Sequence, residues 1–263
     1  MSGVITTFVL VHGAFCSAAV WSPLVRELTL RGHRALAVDL PGHGPTARVP
    51  DGGSALAGVG TADDVAAVRA VVERAARNGP VALVGTSRGG LTVTATANAV
   101  PDLLARAVYV SAWCCTAPRA SYDGVGESLL DPLVGGLLAA DPVALGALRV
   151  AWPTSGETFD GLRRALLADG TADELRGYLA SMDTDESLHI DEEAIRLRAG
   201  AAVPRTYVRL TEDRALPLAL QDRFVADADA AFPDHPFDVH DLRSSHVGFQ
   251  LRPDGLADLL TGA

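Results

Sequence analysis

Residues 80–90, P-V-A-L-V-G-T-S-R-G-G, constrain the fold of this chain more than any other stretch. Residues 81–84 form a short apolar run bounded by Pro80 and Gly85, the pattern of a buried strand. The chain then turns through Gly85-Thr86-Ser87-Arg88-Gly89-Gly90 and continues from Leu91 as L-T-V-T-A-T-A-N-A-V, which reads as a buried helix of small residues. Glycine on both sides lets the backbone turn where a Cβ would clash, and one serine, Ser87, is left at the apex. Strand, tight turn and helix are the setting in which G-x-S-x-G presents a reactive serine. Ser87 is therefore expected to be a nucleophile.

The rest of the chain alternates strands and helices, which predicts an α/β fold with a mostly parallel central sheet and helices on both faces. Strands are expected at 5–11, 34–39, 81–84, 107–111, 206–210 and 237–241, and core helices at 18–31, 61–78, from Leu91, at 218–231 and at 253–261. Thr61 is the expected N-cap of its helix, and the Gly/Pro-rich stretch 40–60 is expected to be loop. Residues 112–203 break the rhythm, with helical patterns at 131–140, 160–168, 171–182 and 191–199 and no convincing strand. They are expected to form a helical lid inserted over the C-terminal ends of the strands, with 1–111 and 204–263 as the core.

Composition narrows the chemistry. At 263 residues and 48% hydrophobic, the chain can bury a large core. Its net charge of -10 argues against nucleic-acid or membrane partners, which need basic surface. All 22 basic residues other than histidine are arginine, which excludes a Schiff-base or phosphate-loop lysine. The N-terminal M-S-G-V-I-T-T-F does not read as a secretory signal, and no apolar run approaches a membrane span. Cys16, Cys114 and Cys115 do not look like a disulfide framework, and no C-x-x-C zinc pattern is present. The expectation is a reduced, cytoplasmic protein without metal or cofactor, acting on a small molecule. The oligomeric state is left open, a homodimer included.

A serine nucleophile needs a base, an acid to orient it, and donors for the oxyanion. Of the seven histidines, His246 in S-S-H-V-G-F lies just after the last strand, where a loop can carry it over Ser87. His240 lies within that strand and His235 before it. Strand 206–210 ends in T-E-D-R-A-L-P, so Glu212 and Asp213 both qualify by position as the acid, and Asp213 is taken. One oxyanion donor is the backbone N–H of Arg88, the residue after the nucleophile. The second is expected from the turn His12-Gly13-Ala14-Phe15 after the first strand, at the Ala14 N–H. His12 and His43 are expected to be structural.

The segments F-V-L-V-H-G-A-F with Trp21, R-G-H-R-A-L-A-V-D-L, L-V-G-T-S-R-G-G, T-E-D-R-A-L-P and S-S-H-V-G-F occur in this order over nearly the whole chain. Together they resemble the α/β-hydrolase superfamily, and more narrowly its branch of small methylesterases and hydroxynitrile lyases. The resemblance implies the α/β-hydrolase fold and puts the catalytic acid on Asp213. The lyases carry lysine after the catalytic histidine and threonine in place of the glycine of H-G, whereas this chain has Val247 and Gly13. Both positions favour hydrolysis. Family members usually flank the serine with histidine and a small or apolar residue; Thr86 and Arg88 depart from that. The Arg88 guanidinium is expected to pair with a nearby carboxylate rather than with substrate.

Phe15, Trp113, Cys114 and Trp152 are expected to line the substrate pocket, with the lid aromatics Phe159 and Tyr178 beside them. Asp183 and Asp185 read as a solvated lid turn. The expected function is a serine hydrolase cleaving a carboxylic ester or lactone of a small, mostly apolar substrate through an acyl-enzyme. A biosynthetic lyase, dehydratase or cyclase using the same Ser-His-Asp site, and a non-enzymatic ligand receptor, are the competing readings.

Overall fold

Alternate residues of the first strand serve two separate cores. In β1 (Thr7–Val11), Phe8 and Leu10 join one apolar cluster and Val9 and Val11 join another. Side chains alternate across a strand, so a strand covered on both faces must be apolar throughout, which is why F-V-L-V reads as a continuous run. The first cluster takes Leu24 and Leu28 from α1 (Ser22–Leu30), and the second takes Val68 and Val72 from α2 (Thr61–Ala76). The computed structural model describes residues 4–49 and 52–262. The N-terminal stretch and the 40–60 loop read from the sequence thus lie partly outside the described residues.

Between α1 and α2 lies β2 (Arg34–Val38). After α2 come β3 (Val81–Ser87), α3 (Gly89–Ala99) and β4 (Arg106–Ala112). The central sheet is completed by β7 (Arg205–Leu210) and, beyond α8 (Leu218–Ala231), by β8 (Asp238–Leu242). Its order is β2-β1-β3-β4-β7-β8, with every adjacent pair parallel. Successive connections run to opposite sides of β1, so the loops after β1 and β3 diverge and leave a crevice at the strands' C-terminal ends. Ser87 ends β3 in this crevice. The short α9 (Gly248–Leu251) and α10 (Asp254–Thr261) close the chain, α10 packing against α1.

The 113–204 connection between β4 and β7 holds α4 (Asp131–Leu137), α5 (Pro142–Leu145), β5 (Ala147–Arg149), α6 (Glu157–Leu166), α7 (Ala172–Ala180) and β6 (Asp185–Ser187). Three sequence expectations need correction here. First, β5 and β6 pair antiparallel, a small sheet the helical patterns hid because each strand is only 3 residues long. Second, residues 191–199 are not a helix. Ile195 and Leu197 are buried at a spacing of two, and the Leu197 N–H donates to the Cys115 carbonyl, so this stretch docks on the chain leaving β4. Third, Asp183 and Asp185 are not a solvated turn. Asp185 is buried against the Arg149 guanidinium, and Asp183 accepts the Gly44 N–H at 2.9 Å. A smaller correction concerns α2, which is capped at Gly60, whose N–H donates to Asp63 at 3.0 Å, with Thr61 as its first residue.

Candidate active site

Ser87 takes a φ of +52°, a left-handed conformation that serine rarely adopts. The parallel ladder explains it. β3 pairs regularly with β4 up to Thr86, and the register then slips so that Ser87 faces Ala112. The chain must turn at once into α3, and a side chain at Gly89 would come within 2.5 Å of the His12 carbonyl. Such a conformation costs about 1–3 kcal/mol and persists only where its surroundings impose it. Among the described residues, the non-glycine positions with positive φ are Phe15, Ser87 and Ser111, and all three lie at this crevice.

His246 follows β8 in a loop held from the 113–204 connection. Asp169 accepts the Ser245 N–H and hydroxyl, and the Val247 N–H donates to the Leu166 carbonyl at 3.0 Å. Its Nδ1 lies 2.6 Å from Asp213 Oδ2. That carboxylate is 6% exposed and saturated with donors. Oδ2 also accepts the Ser111 hydroxyl at 2.7 Å, and Oδ1 accepts the Ala215 and Leu216 N–H groups at 2.8 Å each. An acceptor so fixed keeps the Nδ1 proton of His246 pointed at Asp213 and leaves Nε2 for the cavity. Glu212 turns the other way and pairs with Arg243 on the surface.

Ser87 and His246 line one cavity of about 100 Å³ together with Gly13, Ala14 and Phe15. Gly13 is packed so closely that a Cβ there would lie 3.1 Å from the Ser87 Cβ. The turn is pinned from behind by His12, whose Nδ1 donates to the Gly13 carbonyl and whose Nε2 accepts the Leu40 N–H at 3.2 Å. The Ala14 N–H donates to no other group among the described residues. The far wall is apolar, formed by Leu137, Val150, Trp152, Tyr178 and Met182. A second, more polar space of about 460 Å³ meets the first at Ser87 and His246, and Trp113 borders it.

Over residues 8–259 the sequence matches the alpha/beta hydrolase family. This chain belongs to that family. The hydrolase is 26% identical over 262 residues to the pyrethroid hydrolase of Sphingobium wenxiniae, covering 97% of this chain and 86% of that protein. It superimposes on the crystal structure of a pyrethroid hydrolase from Sphingobium faniae with a TM-score of 0.75 at 24% identity, over 98% of this chain and 96% of that one. An Arabidopsis methylesterase gives 0.73 at 18% identity, over 98% of both chains. At such identities the structural likeness shows the fold. The chain is thus an α/β-hydrolase enzyme with esterase relatives.

The structure of this α/β hydrolase brings Ser87, Asp213, His246, Ala14, Phe15 and Trp152 to one crevice, with Arg88 next to Ser87 at the start of α3 and Trp113 in the adjoining space. Cys114 needs correction as a pocket residue. It is fully buried in the core cluster that holds Tyr109 and Tyr207, which also takes Cys115 and has Trp113 packed against it. Burial pushes its thiol up to about 12, and it does the same for Cys16, which borders the cavity beside the Tyr178 hydroxyl. Phe159 also misses the pocket. It packs in the core of the 113–204 connection, under the Arg176 guanidinium. Sequence reasoning did not single out Ser111 or Glu186. Ser111 carried a weak signal, being a serine closing an apolar strand; Glu186 carried none.

Beneath the turn after β1 lies a buried ionic cluster. The Arg88 guanidinium is 3.2 Å from Glu186, which is 3.5 Å from His43, which in turn is 3.3 Å from Asp183. Burial opposes ionisation of Glu186, but Arg88 and His43 outweigh it and hold the carboxyl at about 2. Burial likewise opposes charge on His43, and hydrogen bonding to Asp183 and Glu186 raises it to about 9. His12, buried against His43, is held down at about 4 and is neutral at pH 7.

A pH dependence of stability follows. His43 binds its proton more tightly folded than unfolded, so its contribution is complete below about 6.5 and is lost as pH rises toward about 9. Thermal denaturation should show Tm falling by roughly 5 °C between pH 7 and 9.5. The fall should be largely absent in Asp183→Asn. A wild-type Tm flat over that range would contradict a charged His43.

Proposed function

We propose that this α/β hydrolase is a serine esterase that cleaves a carboxylic ester or lactone carrying an apolar group, through an acyl-enzyme. The observation that carries the reading is the meeting of Ser87, His246 and the turn after β1 in one apolar cavity, with His246 anchored on a donor-saturated Asp213. Ser87 Oγ attacks the carbonyl carbon as His246 Nε2 takes its proton. The carbonyl oxygen gains the negative charge and is met by the Ala14 and Arg88 N–H groups, the latter at the N-terminus of α3, where the helix dipole adds to the field. The imidazolium, steadied by Asp213, returns the proton to the departing alkoxide. Water, deprotonated by His246, then attacks the acyl carbon, and the acid leaves with Ser87 restored.

In this reading residues 112–203 act as a lid on the 1–111 and 204–263 core and set the size of the bound group. Trp152, its Nε1–H tied to the Asp183 carbonyl at 3.0 Å, crosses Phe15 edge-on at 5.4 Å between ring centres and shapes the apolar arm. The pyrethroid hydrolase relative is consistent with bulky apolar esters. Val247, lining the cavity where the lyases of the resembling branch carry lysine, supports hydrolysis over cyanohydrin cleavage. No helix among the described residues is long and apolar enough to cross a membrane.

Turnover of methyl, p-nitrophenyl and pyrethroid-type esters and of lactones in ¹⁸O-labelled water tests this. The label should enter the carboxylate and not the alcohol. Conversion without label would mean a lyase or cyclase, and tight binding with no turnover would mean a receptor.

A further inference from the structure

Glu186 is a buried carboxylate that the proposed reaction does not use. It is 3% exposed, yet it belongs to β6, a strand of the 113–204 connection rather than of the central sheet. Its Oε2 accepts the Phe15 N–H at 2.8 Å, and its Oε1 faces the Arg88 guanidinium at 3.2 Å. Three residues earlier, the Asp183 N–H donates to the Phe15 carbonyl at 2.8 Å. Both backbone groups of Phe15 are thus taken by one short segment, and Phe15 is held at a φ of +57°. Phe15 directly follows Ala14, and Arg88 directly follows Ser87.

We propose that Glu186 is a positioning residue for the oxyanion site, a single carboxylate that ties the turn carrying the Ala14 N–H to the elbow carrying the Arg88 N–H. The inference rests on the serine-esterase reading above. Two amides on separate loops stabilise an oxyanion only if their spacing is set before the charge develops, since reorganising them during the reaction would cost what they contribute. The β1–β3 ladder ends at Val11 and Gly85; beyond it the two turns pack on each other through Gly13 and Gly89, and Glu186 adds a polar link between them. Glu186 spans them. An unbalanced carboxylate here would repel the oxyanion, and the flanking cations of Arg88 and His43 offset it. The departure at Arg88 from the small or apolar residue usual after the serine acquires a reason: its side chain is the second anchor of the tie. Closure of the 113–204 connection and assembly of the oxyanion site are then one event.

The test uses Glu186→Ala and Glu186→Gln in the full chain, with active sites counted by fluorophosphonate titration so that unfolded protein drops out. Removing one oxyanion donor costs about 10²–10³ in kcat, so Glu186→Ala, which loosens both donors without deleting them, should lower kcat per titrated site by about 10- to 100-fold with KM within about 3-fold. Glu186→Gln keeps an acceptor for the Phe15 N–H and should recover part of the loss. Affinity for a trifluoromethyl ketone, which adds Ser87 to form an oxyanion, should fall in step with kcat. Affinity for the matching uncharged alcohol should not. A purely structural role would lower Tm and leave kcat per site and this affinity ratio unchanged, and that result in Glu186→Gln would overturn the proposal even if Glu186→Ala fails to fold. Ser87→Ala measured alongside separates the two claims. If it retains activity the esterase reading fails; if it is inactive while the Glu186 variants match wild type, only the positioning role fails.

Discussion

Ser87→Ala folds as the wild type does and loses ester hydrolysis by about 10⁵- to 10⁶-fold, the scale seen when a serine nucleophile is removed from a site whose members act as a unit. The expectation follows from the geometry at the end of β3. Ser87 lies in the left-handed region because the chain must pass from β3 into α3 within one residue, and its side chain lines the cavity beside His246. Alanine has a Cβ as serine does, so the backbone strain is unchanged and the loss isolates the hydroxyl. Some acceleration over water should survive, since the proposed oxyanion donors and the cavity are untouched. Measurement of kcat/KM on the best ester of the panel, with mass spectrometry of the fluorophosphonate adduct, checks it. The adduct mass should sit on Ser87 in the wild type and be absent from the variant. Wild-type rates in Ser87→Ala would end the serine mechanism outright.

Asp213→Asn is expected to lower kcat by about 10⁴, while Glu212→Gln stays within about 2-fold of wild type. Asparagine keeps the shape of the site but brings an N–H₂ group. Its carbonyl and amide must divide four donors among them: Ser111 Oγ, the Ala215 and Leu216 N–H groups and His246 Nδ1. The two backbone donors are fixed and claim the Oδ1 position for the carbonyl. The amide nitrogen then occupies the Oδ2 position and faces His246. A donor facing Nδ1 forces the imidazole into the tautomer with its proton on Nε2, where it cannot accept from Ser87. Glu212 has no part in this, since its carboxylate pairs with the exposed Arg243. Steady-state kinetics on both variants decides between them. A severe loss in Glu212→Gln with little in Asp213→Asn would move the acid by one residue and break the assignment.

How much of this was legible beforehand depended on how local each signal was. The elbow at 85–90 could be read because a strand, a turn and a helix must meet there within ten residues, and only glycine tolerates the close approaches involved. The two-core sheet could be read because F-V-L-V and V-A-L-V are apolar on both faces, and α8 falls at 218–231 as its spacing predicts. The 113–204 connection resisted. Its β-strands are three residues long, too short for a period, and the 191–199 stretch has a helical composition but spends its apolar residues, Ile195 and Leu197, at a strand-like spacing against Cys115.

The sequence by itself pointed to the proposed nucleophile Ser87, the histidine after the last strand, the carboxylate three residues beyond β7 and the glycine turn after β1, because each sits at the end of an element whose pattern is local. Tertiary structure alone decided which groups hold them. Ser111 reaches Asp213 across 102 positions, Asp169 steadies the His246 loop, and Glu186 lies 171 positions from the Phe15 amide it accepts. A carboxylate in D-T-D-E-S has the same sequence character in water as in a buried ion pair. What separates the two is whether a guanidinium and a strained amide arrive beside it when the connection closes over the sheet, and that is a property of the packed chain.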